Sequence, residues 1–451
     1  MPFDVASTPP AEKLKIAVVG AGVSGLSAAW LLSRRHEVIL YESGTKLGGH
    51  ANTIDVPVAG GDIPVDAGFI VFNQANYPNL TALFSHLQVA TEESCMSFAA
   101  SMRGGDVEYS GQTLSSVFTK RASALSPSFL GMLSDIARFH REARKALANG
   151  ISENISLREF VATRRFGKAF TTDFLEPMAS AIWSSPSNSI LDYPAASFFK
   201  FFQNHGLLQV LNLPIWHTVT GGAWSYVEKI AAPLNDAARL ATKVTKIDRV
   251  NGAVEVTDEN GFADQFDHVV VATHADTALS MLARPTDRER DILGAFSYKP
   301  NRAVLHFDKR QMPIRRRAWS SWNYLGGEGQ ASVTYWMNRL QNLTCAEDVF
   351  VTLNPHSPIE DHAIVAEFDY AHPMFNVAAG KAQKKLWSLQ NDGDRGVWYC
   401  GAHFGQGFHE DGLQAGLAVA EAIGGVRRPW TVDQESGRIF LPDGFASLAA
   451  G

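Results

Sequence analysis

Apolar and polar positions along this chain switch between strand and helix periods. Lys15 to Val19 is a short β-branched apolar run and Gly20 to Gly25 interrupts it; Leu26 to Ser33 has helical spacing, and Glu37 to Glu42 is a second apolar run ending on an acid. That order predicts a strand–helix–strand unit at the start of the fold. From Tyr77 to about Leu211 the spacing is mostly helical, as in Phe129 to Leu147, where apolar residues recur among Asp135, Arg138, Arg141, Glu142 and Arg144. Strand patterns return between about Trp216 and Ala283, as Arg239 to Val250, Ala253 to Thr257 and Phe266 to Thr273. The last is nearly continuous and reads as a strand buried in a parallel sheet. Asn251-Gly252 and Asn260-Gly261 supply turns. Further strand-like runs, Arg302 to Phe307, Ser332 to Trp336 and Val349 to Leu353, fall between Phe296 and about Ala366. Val397 to Gly401 is a final short strand, followed by Gly405 to Gly407 and a small-residue helix from about Gly412 to Ile423.

Composition narrows the class. With 451 residues, 45% of them hydrophobic and 19% charged, the chain has material for the cores of two or three domains. Its 40 Lys and Arg against 46 Asp and Glu give a net charge of -6, and no long basic run occurs, so the electrostatic footprint of a nucleic-acid binder is missing. Cys95, Cys345 and Cys400 are odd in number and far apart, which fits neither a disulfide framework nor a zinc site; a reducing cytoplasm and no metal are expected. Met1 to Lys13 lacks the apolar core of a secretory signal and reads as a short disordered leader. The longest uncharged stretch, Ile16 to Ser33, holds three glycines and splits into strand and helix rather than spanning a membrane. The 27 Phe and 10 Trp point to an apolar cavity, a lipid-facing patch or large cores.

The first glycine motif carries the chemistry. In Gly20-Ala21-Gly22-Val23-Ser24-Gly25, Gly20 suits a tight turn, Gly22 lets backbone approach a pyrophosphate, and Gly25 lets helix and strand pack closely, with the helix amino terminus facing the phosphates. Glu42, 17 residues past Gly25 at the end of the next strand, is placed to accept ribose hydroxyls and would repel a 2′-phosphate, which favours FAD or NAD over an NADP-type nucleotide.

The stretch Glu42 to His50, with Leu47-Gly48-Gly49 after the ribose acid, resembles the FAD-binding fingerprint of the flavin amine oxidase and phytoene desaturase superfamily; His50 stands where that superfamily often has Arg. Asp66-Ala67-Gly68 resembles its Asp-x-Gly element. The segment Tyr399-Cys400-Gly401-Ala402-His403, the loop Gly405 to Gly412 and Leu413 to Ile423 look like its carboxy-terminal flavin element. Thr242 to Ile247, with Val244 at the adenine, and Val269 to His274, including Thr273, resemble its middle strands. The superfamily's ribityl acid directly after the strand glycine is replaced by Ala402-His403, so Glu410 or Asp411 is expected to take that role. The His-Glu-Asp-Gly loop, Trp216 to Gly222 and Asn204 to Leu208 look most like a bacterial branch often encoded beside cyclopropane-fatty-acid synthase-like enzymes.

The resemblance implies an α/β fold: a Rossmann-like FAD-binding domain of amine oxidase type (1–75, 212–285, 390–451) interleaved with an α+β substrate domain (76–211, 286–389). It implies FAD held by Gly20, Gly22, Val23, Ser24, Gly25, Glu42, Gly48, Gly49, His50, Val244, Thr273, Gly401, Glu410, Asp411 and Leu413. His409 and His403 beside the glycine loop are candidate acid–base groups, and Lys299 is a candidate for the lysine that amine oxidases hold near the flavin. Cys400, inside a strand, reads as a small buried hydrophobe. Trp319, Trp322, Tyr324, Tyr335 and Trp336 have the composition of a pocket for an apolar substrate. Arg315-Arg316-Arg317 beside Ile314 reads as a solvated loop or a contact with anionic head groups at the inner membrane face. The function expected is desaturation or double-bond isomerisation of a lipid or unsaturated fatty acyl chain, with a lipid-modifying enzyme as a partner. A peroxide-releasing amine oxidase and a non-enzymatic FAD-bound scaffold for a lipid methyltransferase are the alternatives.

Overall fold

The computed structural model describes residues 13–111, 113–183, 190–208, 214–234, 236–326, 331–390 and 396–442. The leader, residues 1–12, lies outside the described residues. Five parallel strands stand in the order Ala238–Arg239, Glu37–Tyr41, Lys15–Val19, His268–Val271, Val397–Tyr399, with Lys15 opposite Glu37, Ile16 opposite His268 and Val269 opposite Val397. Strands far apart in the chain thus lie side by side, as expected of an interleaved dinucleotide-binding fold. The first helix, Val23–Leu32, is buried along its whole length because the sheet covers one side and the helix His409–Ile423 the other. Gly412 and Gly416 meet Ser24 and Ser27 at that crossing, where larger side chains would hold the helices apart. Beside this sheet, Val244–Val250, Ala253–Asp258 and Ala263–Phe266 form an antiparallel meander, and Asn251 and Gly252 both take positive φ at its first turn.

A seven-stranded mixed sheet runs in the order Ile364–Met374, Ser297–His306, Phe350–Leu353, Ala331–Trp336, Trp322–Gly326, Phe98–Met102, Val107–Ser110. Helices Pro127–Ala148, Leu157–Thr163, Glu176–Trp183 and Ala195–Asn204 share its core, in which Phe139 packs against Phe160, Phe166, Phe170, Phe198 and Phe199. Two readings differ here. The stretch from Tyr77 to Leu211 opens on the helix Pro78–His86 but then runs through three strands, Thr91–Ser94, Phe98–Met102 and Val107–Ser110, too short at four or five residues to show their period. The apolar surface also divides elsewhere than the expected boundaries. Helices Pro78–His86 and Val377–Leu386 pack into the core of the parallel sheet, while Val56 and Val65 of the Thr53–Asp66 hairpin pack into the second core. Among the described residues, no helix is long and apolar enough to cross a membrane.

Candidate functional site

The loop after the first strand is shaped by steric exclusion. A Cβ on Gly25 would lie 1.8 Å from the Gly20 carbonyl oxygen, so the helix starts flush against the turn. Gly22 caps that helix without a side chain to accept its first amides, and a Cβ there would meet nothing within 4 Å. The first-turn amides thus have no side-chain cap, and an uncapped helix amino terminus beside open space is a cradle that suits an anion. Gly48 donates its N–H to Ala21 O (2.9 Å), and a Cβ on Gly49 would come 3.0 Å from Gly22 Cα, so the second glycine turn lies against the first. Glu42 closes this corner, accepting on Oε1 from Gly44 N (2.7 Å) and the Ser43 hydroxyl (3.3 Å) and on Oε2 from Ala21 N (2.9 Å), which leaves a lone pair on Oε2.

His50 leaves that turn and stacks on Tyr370 (4.7 Å), with His372 at 5.5 Å and His274 at 6.4 Å. Burial, then the neighbouring imidazoles, lowers its pKa to about 3. It is neutral and cannot supply the charge of the Arg it replaces, and its Nε2 is buried without a partner. Thr273 stands where Gly20 makes its turn, and His274 begins the Ala275–Met281 helix, stacked on Tyr298 at 4.2 Å. Lys299 pairs across from His372, so the two side chains share a sheet face; desolvation lowers its pKa.

The carboxy-terminal element brings two more histidines in. His403 is buried beneath Phe296 (5.3 Å), burial lowers its pKa to about 3, and its Nε2 has no partner. His409 stacks on Phe69 (3.9 Å) and pairs Nε2 with the Tyr226 hydroxyl (2.7 Å); burial lowers its pKa to about 3. The Gln406 Oε1 is also buried and unpartnered. Gly401 packs against the His403 ring, while Val23, Ser24, Val244, Leu413 and Cys400 are buried, and burial pushes the Cys400 thiol up.

The two acids expected at the ribityl chain are committed elsewhere. Glu410 accepts from Asn79 N, Asn79 Nδ2, Leu80 N and Gln414 Nε2, capping the Pro78–His86 helix across the interface. Asp411 caps its own helix through Phe408 N and is paired with both Nε and Nη2 of Arg438. Both acids thus have protein donors that hold the helix in place. A second buried pair lies behind them: Arg428 and Glu421, 0% and 1% exposed in their side chains, bond at 2.8 Å, and Arg428 also donates to Asn79 Oδ1. Arg428→Met leaves Glu421 with the half-exposed Arg427 as its cation and the backbone N–H of residue 428; destabilisation of about 3 kcal/mol is expected in urea unfolding, largely restored by adding Glu421→Leu.

The aromatic candidates do not line one pocket. Trp322 and Tyr335 pair edge-on (4.8 Å) and with Tyr324 join the core shared with the helices. Trp319 and Trp336 (5.4 Å, perpendicular) lie with Met312 and Phe350 in a separate cluster, under an Arg316 guanidinium 3.8 Å and 4.8 Å from their rings. Arg315 and Arg316 are paired with Glu108 and Asp348, so two of the three arginines expected at head groups are already engaged. The glycine loop meets different aromatic residues: Phe201 stacks on Phe408 (5.0 Å) and Phe375 stands 3.0 Å from a Cβ on Gly407. Phe408 and His274 fall within the glycine loop and the Val269 to His274 element without being assigned a role there, and no motif marks Phe201, Phe375, Phe69, Tyr226, Tyr370 or His372.

Comparison with known proteins agrees with this geometry. The family model described as flavin containing amine oxidoreductase matches residues 23–345. The (S)-6-hydroxynicotine oxidase of Paenarthrobacter nicotinovorans is 28% identical over 286 residues, 60% of this chain and 63% of its own length. The chain spans less than two thirds of the length of the curated relatives it matches. Two solved structures share the fold: a fatty acid isomerase from P. acnes (TM-score 0.64, 14% identity, 91% of this chain and 98% of that one) and a putrescine oxidase with putrescine bound (TM-score 0.63, 13% identity, 91% and 99%). FAD is the cofactor this family carries, and the open space at Gly22, the uncapped helix and the unpartnered His50, His403 and Gln406 atoms fit it. The chain belongs to the flavin-containing amine oxidoreductase family.

Proposed function

We propose that this chain is an FAD-dependent oxidoreductase acting on an apolar substrate, an unsaturated fatty acyl chain that is desaturated or has its double bond moved. FAD, when bound, supplies a two-electron acceptor. The rest falls to the chain's residues. Gly22 and the first-turn amides take the diphosphate, Glu42 the ribose, and the His409–Ile423 helix presents its amino terminus, where positive dipole favours negative charge.

One observation carries the substrate reading: the surroundings of the glycine loop are aromatic, and the charged groups there are already met by protein partners. Phe201, Phe375 and Phe408 stand there, the imidazoles of His50, His403 and His409 are held neutral by burial, and the nearby carboxylates Glu410 and Asp411 are saturated by their own donors. Apolar walls hold alkyl groups in van der Waals contact without asking for hydrogen bonds. The likeness to a fatty acid isomerase supports the reading at the level of fold. Lys299, on the face it shares with His372, favours the second reading, an amine oxidase releasing peroxide. Lipid extraction and mass spectrometry on cells with and without the protein test the choice. An additional or displaced acyl double bond only when the protein is present is expected; identical lipid profiles contradict it.

A further inference from the structure

Two polar atoms on the aromatic side of the site are buried with nothing to bond, and they are complementary. Asn73, at the end of the Val71–Phe72 strand and 0% exposed, accepts on Oδ1 from Asn76 N (2.9 Å) and Asn76 Nδ2 (3.0 Å). That fixes the amide, so the unpartnered Nδ2 is a donor. His205 ends the Ala195–Asn204 helix, and its Nδ1 lies 2.9 Å from the Phe201 carbonyl. A carbonyl can only accept, so Nδ1 carries the hydrogen and the unpartnered Nε2 is a bare acceptor. The ring is locked flat on Phe201 (3.8 Å), with Trp216 and Phe408 both at 5.9 Å. Asn76 joins the two halves, since its Nδ2 also donates to the carbonyl of Asn204, the residue before His205.

Leaving a buried donor or acceptor unmet costs about 1–3 kcal/mol each, a cost removed when a ligand answers both. The charge of that ligand is constrained. Burial lowers His205 to about 3, with the Arg438 cation adding to the effect, so it offers a lone pair and no charge. Arg438 is itself matched by Asp411, and its guanidinium lies over the Tyr77 ring (5.8 Å), which stands 6.4 Å from His205. An ester or ketone answers Asn73 alone, an ammonium answers His205 alone, and a carboxylate meets the imidazole lone pair. A group with one O–H and one oxygen acceptor answers both.

We propose that Asn73 Nδ2 and His205 Nε2 form a polar subsite that takes a single O–H function of the substrate, an alcohol or un-ionised carboxylic acid, beside Phe201 and Phe408. This rests on the acyl-chain reading and adds to it that the polar group of the chain is read, not only its length.

The test is binding, measured by titrating the FAD-loaded protein with decan-1-ol, decanoic acid and methyl decanoate and following the flavin absorbance difference. Decan-1-ol should bind at least tenfold tighter than the ester, equally at pH 6 and pH 8. Decanoic acid should lose about tenfold in affinity per pH unit above its own pKa, since it must arrive protonated. His205→Phe should bring decan-1-ol down to the ester's affinity and leave the ester unchanged, while Asn73→Leu, which removes the donor that both compounds use, should weaken the alcohol and the ester alike; the wild-type ratio stands as a test if either variant fails to fold. Ester binding as tight as alcohol binding overturns the subsite alone. No binding of any ten-carbon compound overturns the acyl reading, and the subsite with it.

Discussion

Gly25→Val is expected to abolish folding of the dinucleotide-binding region, whereas Gly22→Ala, three residues away in the same motif, should fold normally and lose only FAD. Gly25 has no room: any Cβ falls 1.8 Å from the Gly20 oxygen and 3.1 Å from Ala272 Cβ, so even the smallest side chain must push the helix off the sheet. Gly22 is the reverse case. Its φ of -74° with ψ of -177° is open to any residue, and the added methyl meets no protein atom. The apo form should therefore change by no more than about 1 kcal/mol, while the methyl occupies the space a diphosphate needs. Flavin released on heating and the melting temperature of the apo form separate the two: at least a hundredfold weaker FAD binding with unchanged melting for Gly22→Ala, and no soluble folded protein for Gly25→Val. Full flavin in Gly22→Ala would mean the diphosphate lies elsewhere.

Stability should collapse as the pH falls from 6.5 to 5.5. His205 and His403, each 4% exposed, are lowered by burial to about 3, and the fully buried His306 to about 4, from an ordinary 6.5. The unfolded chain binds protons in that window that the folded chain refuses, so the stability these groups contribute is complete above 6.5 and lost on acidification, at about 1.4 kcal/mol per unit per group. At pH 5.5 the three together amount to about 4 kcal/mol, a large share of the 5–15 kcal/mol typical of a folded protein. The less enclosed His50, His372 and His409 act in the same direction. Asp66 opposes them: burial raises it to about 7, so it takes up a proton on folding between 3.8 and 7 and stabilises as the pH falls. Burial also raises Glu176 and Glu410, which act with Asp66, and likewise lowers His140, His268 and His274, which act with the other imidazoles, so the sign stands. Urea unfolding at pH 7.5 and 5.5 should show a midpoint several tenths of a molar lower in acid or lower still; equal midpoints would show that the imidazoles reach solvent.

Much of the nucleotide end was readable from the chain because its chemistry is local. Gly20, Gly22, Gly25 and Glu42 lie within one strand–helix–strand unit, and their spacing is their geometry. Glu410 and Asp411 misled because the partners of a carboxylate are tertiary: Asn79 caps onto Glu410 from 331 residues away. The aromatic pocket failed for a reason the sequence did contain. Tyr335 and Trp336 are neighbours in one strand, so their side chains must face opposite ways, and no single pocket could hold both. The histidines around His50 carry no such signal, since His274 and His372 arrive from separate elements.

The central claim is that the flavin of this chain accepts electrons from an acyl chain, and anaerobic mixing tests it most directly. FAD-loaded protein is mixed without oxygen with a cis-unsaturated fatty acid or its phospholipid, and separately with simple amines such as cyclohexylamine, following flavin absorbance and the position of the double bond in the recovered chain. Bleaching by the acyl compound, or a shifted double bond without net bleaching, is the expected result, with the amines leaving the protein yellow. Bleaching by amines alone, with every acyl chain recovered unchanged, would contradict the account and make the protein an amine oxidase.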